Sequence, residues 1–79
     1  MYVKKGKEYA ILVMYNAVTD VKCIAKGPLS SNEVLDEVED IMDTIEAGKF
    51  VCVSSHYLNP KDIVMVTIDL WKGKKQESW

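Results

Sequence analysis

Seventy-nine residues, 48% hydrophobic and 28% charged, have the size and composition of one small soluble globular domain. The formal net charge is −2, so the charge balance alone indicates neither a nucleic-acid partner nor a membrane surface. No apolar run reaches the roughly 18–20 residues of a membrane span. All 10 basic residues are lysines, which removes the arginine fork that recognises phosphate through two hydrogen bonds.

We expect one α+β domain over residues 1–79, with an ordered core at residues 8–71 and a frayed tail at 72–79. The opening segment, MYVKKGKEY, lacks the apolar region of a signal peptide, so the sequence predicts no targeting segment and a cytoplasmic location. Cys23 and Cys52 both lie in apolar stretches. This favours two reduced core thiols over a single disulfide.

Two strands are predicted in the first third of the chain. Residues 8–16, EYAILVMYN, are rich in β-branched and aromatic side chains and too short for a helix. A turn at NAVTD leads to a second strand at residues 20–26, DVKCIAK, which Gly27-Pro28 is expected to end. Both alternating sets of the first strand are apolar, so the pattern leaves open which set faces the core.

A single helix is predicted between Leu29 and Gly48. Ser30 is the expected N-cap, and Glu33 three residues later completes a capping box. Gly48 is a natural stop after Ala47. The apolar positions fall within an arc of about 120°, which predicts one buried stripe. The stripe comprises Val34, Leu35, Val38, Ile41, Met42 and Ile45.

The last third predicts two more strands, at residues 49–55 (KFVCVSS) and 62–71 (DIVMVTIDLW), joined by SSHYLNP with its Asn59-Pro60 turn signal. Alternation in the last strand assigns one set to the helix side: Val64, Val66, Ile68 and Leu70. The other set is Ile63, Met65, Thr67, Asp69 and Trp71. The order ββαββ predicts a two-layer α+β sandwich, a four-stranded and mainly antiparallel sheet with one helix on one face.

The helix carries seven acidic residues and no lysine: Glu33, Asp36, Glu37, Glu39, Asp40, Asp43 and Glu46. Like charges three or four positions apart each cost about 0.2–0.5 kcal/mol, and a helix that needs only solubility intersperses lysine. We therefore expect a non-enzymatic binding or regulatory protein that docks this face on a basic protein partner, with nucleic-acid mimicry as one form. The competing interpretation is a merely solvated face.

A second hypothesis is a structural module that forms homodimers through the sheet face away from the helix. Ile63, Met65 and Trp71 are its predicted contacts, because the chain has no second helix to cover them. A third, disfavoured hypothesis is nucleic-acid binding. It would use strand aromatics such as Tyr9 and lysines near both ends: Lys4, Lys5, Lys7, Lys72, Lys74 and Lys75.

Catalytic and metal chemistry have little support in the sequence. His56 is the only histidine, and no nucleophile elbow, phosphate loop or zinc-protease motif occurs. Cys23, Cys52 and His56 lack the ligand spacing of a zinc site, and the helix carboxylates lack the spacing and glycine of a calcium loop. We expect no enzyme activity, no cofactor and no metal.

One segment carries a resemblance. AGKFVCVSSHYLNPKDIVMVTI, from Ala47 to Ile68, resembles small proteins of phages and mobile elements of Gram-positive bacteria, in which a glycine precedes a short strand and LNPKDIVMV enters a second strand. The resemblance implies expression in the cytoplasm of a bacterial host. It implies no activity and assigns no functional residue.

Overall fold

The computed structural model describes residues 3–73, which form five strands and one α-helix. The order is β1 (Tyr9–Asn16), β2 (Val21–Leu29), α1 (Ser31–Glu46), β3 (Val51–Val53), β4 (His56–Leu58), a 3-10 turn (Pro60–Asp62) and β5 (Ile63–Leu70). The α+β class with antiparallel strands and one helix is confirmed. The single four-stranded ββαββ sheet is wrong, because β2-β1-β5 form one sheet and β3-β4 form a separate hairpin. Most of the predicted tail, residues 74–79, lies outside the described residues.

β1 is the central strand, paired antiparallel with β2 on one side and β5 on the other. This position explains why both of its alternating sets are apolar, since residues from Tyr9 to Val13 are buried on both faces. Tyr9, Ile11 and Val13 belong to the main core cluster, which answers the question that the sequence pattern left open. The NAVTD turn is present, with the Ala17 N–H donating to the Asp20 carbonyl at 2.7 Å.

β2 does not end at Gly27-Pro28 but continues to Leu29. Two β2 residues, Gly27 and Pro28, stand opposite the single β1 residue Ala10 in the register, which is a β-bulge. Proline is tolerated at bulges and on edge strands because the ladder there does not need its missing N–H. β2 is an edge strand, and its Gly27–Pro28 peptide bond is cis.

The segment predicted as a connection, SSHYLNP, contains a strand. β3 and β4 pair through Val51–Leu58, Cys52–Tyr57 and Val53–His56, leaving only Ser54 and Ser55 in the turn. Both serines have positive φ, 47° and 68°, as a tight type I′ hairpin requires. The usual sequence signal for that turn is Asn-Gly or Asp-Gly, so serine-serine concealed the hairpin.

The ends of α1 follow the prediction. The Glu33 N–H donates to Ser30 Oγ at 3.2 Å and the Ser30 N–H donates to Glu33 Oε1 at 3.0 Å, which completes the capping box. At the other end Gly48 has a φ of 71°, and its backbone N–H donates a hydrogen bond to the Ile45 carbonyl. The backbone N–H of Lys49 donates to the Thr44 carbonyl. These two bonds form a Schellman motif and satisfy the last carbonyls.

The buried stripe of α1 is narrower than predicted. Val34 and Ile41 are buried in the core cluster, and Val38 and Ile45 pack against it. Leu35 and Met42, by contrast, are 48% and 46% exposed. One helix on a three-stranded sheet and a short hairpin offers room for a four-residue stripe only, so these two side chains lie at its margin.

The structure changes the predicted assignment of β5 residues to the two faces of the sheet. Val66 and Ile68 lie opposite Val13 and Ile11 on the helix side, as predicted, but Val64 is 55% exposed. Ile63 packs against the core cluster and does not belong to the open face. The reason is a register shift in which Met14 pairs with Met65 and Tyr15 with Ile63. This irregularity reverses the alternation at the start of the strand. Leu70 pairs with Tyr9 but is also half exposed.

Cys23 and Cys52 are not joined by a disulfide, but the predicted core placement is wrong for Cys52, which is exposed on β3, and Cys23 is only half-buried. The inward-facing positions of β3 are Val51 and Val53 on either side of Cys52, so alternation directs Cys52 outward. No helix within residues 3–73 is long and apolar enough to cross a membrane.

The orientation of α1 predicts how much two substitutions lower the free energy of unfolding. Ile41→Ala removes a buried side chain from the core cluster and should lower the free energy of unfolding by about 2–5 kcal/mol. Leu35→Ala, the matched control on the same helix, should cost less than about 1 kcal/mol because Leu35 is half exposed. Urea denaturation followed by circular dichroism measures both. Equal losses would contradict the observed orientation of the helix.

Candidate functional site

The strongest surface feature is the acidic face of α1, defined as Glu33, Asp36, Glu37, Glu39, Asp40, Asp43 and Glu46. The helix turns this face away from the core cluster, and all of these residues are exposed except Glu37, which is half-buried. Five of the carboxylates, from Asp36 to Asp43, line a shallow depression of about 410 Å³. Apart from Glu37, these acids lie on the side of the helix opposite the buried Val34 and Ile41.

Little positive charge compensates this face within the described part of the chain. Lys26 on β2 forms an ion pair with Glu37, with 2.8 Å between Nζ and Oε2. Both side chains are about a third exposed, so solvent screens the pair and it is worth at most about 1 kcal/mol. The last turn of the helix carries no basic residue. Of the seven carboxylates, Glu37 alone has an ion-pair partner among residues 3–73.

Glu33 differs electrostatically from the other acids because it closes the capping box. The hydrogen bond from the Ser30 backbone N–H, and secondarily that from the Ser30 side chain, lower the pKa of the Glu33 carboxyl below 4.5. Its negative charge also lies in the first turn, where it interacts favourably with the helix dipole. Glu33 therefore stabilises the N-terminus of the helix, whereas the acids from Asp36 onward take no part in the capping box.

Leu35 and Met42 add an apolar margin to the acidic face. At about 100° per residue they lie within about 20° of each other on the helix, between the buried stripe and the acids Glu39 and Glu46. Both are close to half exposed. The sequence pattern had placed them in the core, and only the narrow width of the layer beneath reveals them as surface.

The residues proposed for nucleic-acid binding are dispersed. Tyr9 is buried, and its hydroxyl accepts a hydrogen bond from the Lys4 N–H at 2.7 Å, so its ring is not available for stacking. Lys72 Nζ lies 3.6 Å from Asp69 Oδ2. Lys74 and Lys75 lie outside the described residues. The most exposed aromatic side chains between residues 3 and 73 are Phe50 and Tyr57, which the sequence did not single out.

The open face of the sheet is smaller than the sequence predicted. Ile63 is absent from it, while Met65 remains 48% exposed opposite Met14. Ala10, Leu12 and Ala25 are buried although they are not members of the core cluster. Trp71 is half-buried and packs on β2 so closely that a Cβ at Gly27 would lie 2.7 Å from its Cε3 atom.

The candidate metal ligands do not converge. Within residues 3–73 no three His, Cys, Asp or Glu side chains are grouped so that they could hold a metal ion. His56 is exposed on β4, and its Nδ1 lies 3.1 Å from the Ser54 carbonyl. The carboxylates of the acidic face form a charged surface and not a chelating site.

Comparisons with protein-family models, curated proteins and solved structures find no match for this chain. The class of the molecule is therefore defined by its own fold and surface. It is a one-helix α+β domain whose helix presents charge of a single sign.

The lowered pKa of Glu33 predicts a pH dependence. A carboxyl with a lowered folded-state pKa contributes stability above its unfolded pKa and loses it as the pH falls through the folded pKa. The unfolding free energy of the wild type relative to Glu33→Gln should therefore decline as the pH falls from 7 through the acidic range. Urea titrations of both proteins at each pH isolate the contribution of the Glu33 carboxyl to the free energy of unfolding, because the other carboxyls are the same in both proteins. A pH-independent difference would contradict the capping role of the ionised carboxylate.

Proposed function

We propose that the protein is a non-enzymatic binding module whose acidic face docks on a basic surface of a partner protein. The observation that carries the proposal is the contiguous row of carboxylates from Asp36 to Asp43, with one ion pair to Lys26 as its compensation in the described chain. Their mutual repulsion costs stability that a mixed-charge helix would retain. A cationic partner relieves that repulsion on binding.

The charge density of the face supports nucleic-acid mimicry as the form of this binding. Seven carboxylates between Glu33 and Glu46 are spread over roughly 20 Å of helix axis at about 1.5 Å per residue. That is about one negative charge per 3 Å, close to the roughly 3.4 Å spacing of charges along one DNA strand. A lysine- or arginine-rich surface made for a phosphate backbone would therefore find a similar row of charges.

Leu35 and Met42 add apolar contact area beside the acidic face. Electrostatic complementarity mainly raises the association rate and the specificity, whereas buried apolar contacts contribute most of the affinity. The partner surface proposed here is therefore basic with an adjoining apolar patch, which the half-exposed Leu35 and Met42 would contact.

Charge-neutralising variants test the acidic face. In an NMR titration with a decalysine peptide, we expect amide shifts concentrated on α1 and an affinity that falls as salt is added. The triple variant Asp36→Asn, Asp40→Asn, Asp43→Asn should bind about tenfold more weakly or worse, because it removes the centre of the carboxylate row. The same variant should lose the ability of the wild type to displace a short fluorescent DNA duplex from decalysine.

A control variant with the same change in net charge separates position from total charge. Glu8→Gln, Asp20→Asn, Asp62→Asn neutralises three exposed acids outside α1. It should retain most of the wild-type affinity for decalysine. Equal weakening in the two triple variants, or shifts scattered over the sheet, would contradict docking through the helix.

A second candidate function is self-association through the open sheet face. The observation that favours it is the half-exposed Met65 beside Met14, on the face that α1 leaves uncovered. Pairing about a two-fold axis would bury these side chains against an identical surface and place the two acidic helices on opposite outer sides. Such a dimer is compatible with docking by the acidic face.

Met65→Glu tests the dimer. If Met65 lies in a two-fold interface, the substitution places a charge in an apolar contact and should shift the protein to monomer with little loss of secondary structure. Sedimentation equilibrium over a hundredfold range of concentration measures the shift. Val18→Glu, at a fully exposed position in the β1–β2 turn, is the matched control and should leave the association unchanged. A strictly monomeric wild type would exclude this function.

A further inference from the structure

A second surface feature differs in chemistry from the acidic face, because its lining is mostly apolar and includes a lysine. A half-open groove of about 580 Å³ runs along β2, lined by residues 21–25, by the end of β1 and by the β3–β4 turn. Its volume falls within the roughly 300–1,000 Å³ of small-molecule sites. No sequence motif predicts it, because its walls come from three separate segments.

A strained turn forms part of the groove wall. Ser54 Oγ donates to the Ala25 carbonyl at 2.9 Å and thereby ties the β3–β4 turn to the free edge of β2. Ser54 and Ser55 both adopt positive φ, a backbone conformation that is unfavourable for a residue with a Cβ atom. The hydrogen bond of Ser54 offsets part of that cost. Glycine would relieve the strain but could not hold the turn against β2.

His56 is oriented by the same turn. Its Nδ1 lies 3.1 Å from the Ser54 carbonyl oxygen, which accepts a hydrogen bond when Nδ1 carries a proton. Nε2 is then the second polar atom of a ring that lines the groove. Lys22 of β2 lines the same groove, directly across the β1–β2 ladder from Tyr15.

The lining selects for one kind of ligand. Among residues 3–73 its lining contains a lysine, a histidine and a serine but no carboxylate, and the remaining walls are mostly apolar, with Met14, Val21 and Ile24 among them. We propose that this groove binds a small organic anion with an apolar body of about the size of one or two rings. Lys22 would pair with the anionic group, and the apolar walls would cover the body.

A matched pair of probes tests the charge preference. Naphthoate and naphthamide have nearly the same size and apolar area, but only naphthoate is charged. In NMR titrations we expect saturable shifts confined to residues 14–15, 21–25 and 54–56, with naphthoate binding about tenfold more tightly than naphthamide.

Two lysine variants localise the effect. Lys22→Gln should abolish the preference for naphthoate and leave naphthamide binding unchanged, because the apolar walls remain. Lys61→Gln alters net charge equally at an exposed position outside the groove and should retain the preference. Both side chains are exposed, so both variants should keep the wild-type spectrum.

Several results would overturn the proposal. One is equal affinity for the two probes, and another is an equal loss in Lys22→Gln and Lys61→Gln. Shifts centred on Met65 would assign probe binding to the open sheet face. Concentration-dependent broadening at residues 21–25 without probe would assign the groove to a second copy of the chain pairing along the β2 edge. No saturation up to the solubility limit of naphthoate would show that the groove holds no such ligand.

Discussion

Burial of β1 on both faces is the constraint on which the rest of the structure depends. Ala10, Ile11 and Val13 have no exposed surface at all, although they point alternately to opposite sides of the sheet. One side requires the helix and the hairpin as a cover, and their apolar residues meet β1 in the core cluster. Ala10 and Leu12, on the other side, are also buried but do not belong to that cluster, so the core is the side on which Ile11 and Val13 meet the helix and the hairpin.

This arrangement also sets where charge can lie. With its apolar stripe committed to β1, α1 must present its remaining surface outward, and acids occupy nearly all of it. β2, at the edge of the sheet, separates the two charged regions: Lys26 meets Glu37 of the acidic face, whereas Lys22 lines the groove. The net charge of −2 therefore does not describe the local charge, because the carboxylates of the acidic face and the lysine of the groove lie on separate parts of the surface.

Local signals were predictable from the sequence, and pairings that depend on distant residues were not. Ser30, Glu33 and Gly48 determine the ends of the helix through contacts within a few residues, so their types sufficed. The return of β5 to pair with β1 depends on contacts across the whole chain.

The β3–β4 hairpin was missed because Ser54 and Ser55 carry no turn signal, and Ile63 was misplaced because one register shift reverses alternation. The acidic face was predictable because helical periodicity alone generates it, while the groove joins three segments and was not.

The exposure of Leu35 and Met42 links the fold to the proposed docking. A solvated helix gains nothing from apolar side chains at the margin of its acidic face, and the layer beneath is too narrow to bury them. Where an interface forms, however, apolar side chains beside a charged row lose water together with the charges and add the contacts that slow dissociation. In the proposed complex the carboxylates guide the encounter, and Leu35 and Met42 retain the partner. The same two residues explain how a small domain could bind firmly through a face whose charges, by themselves, salt would screen.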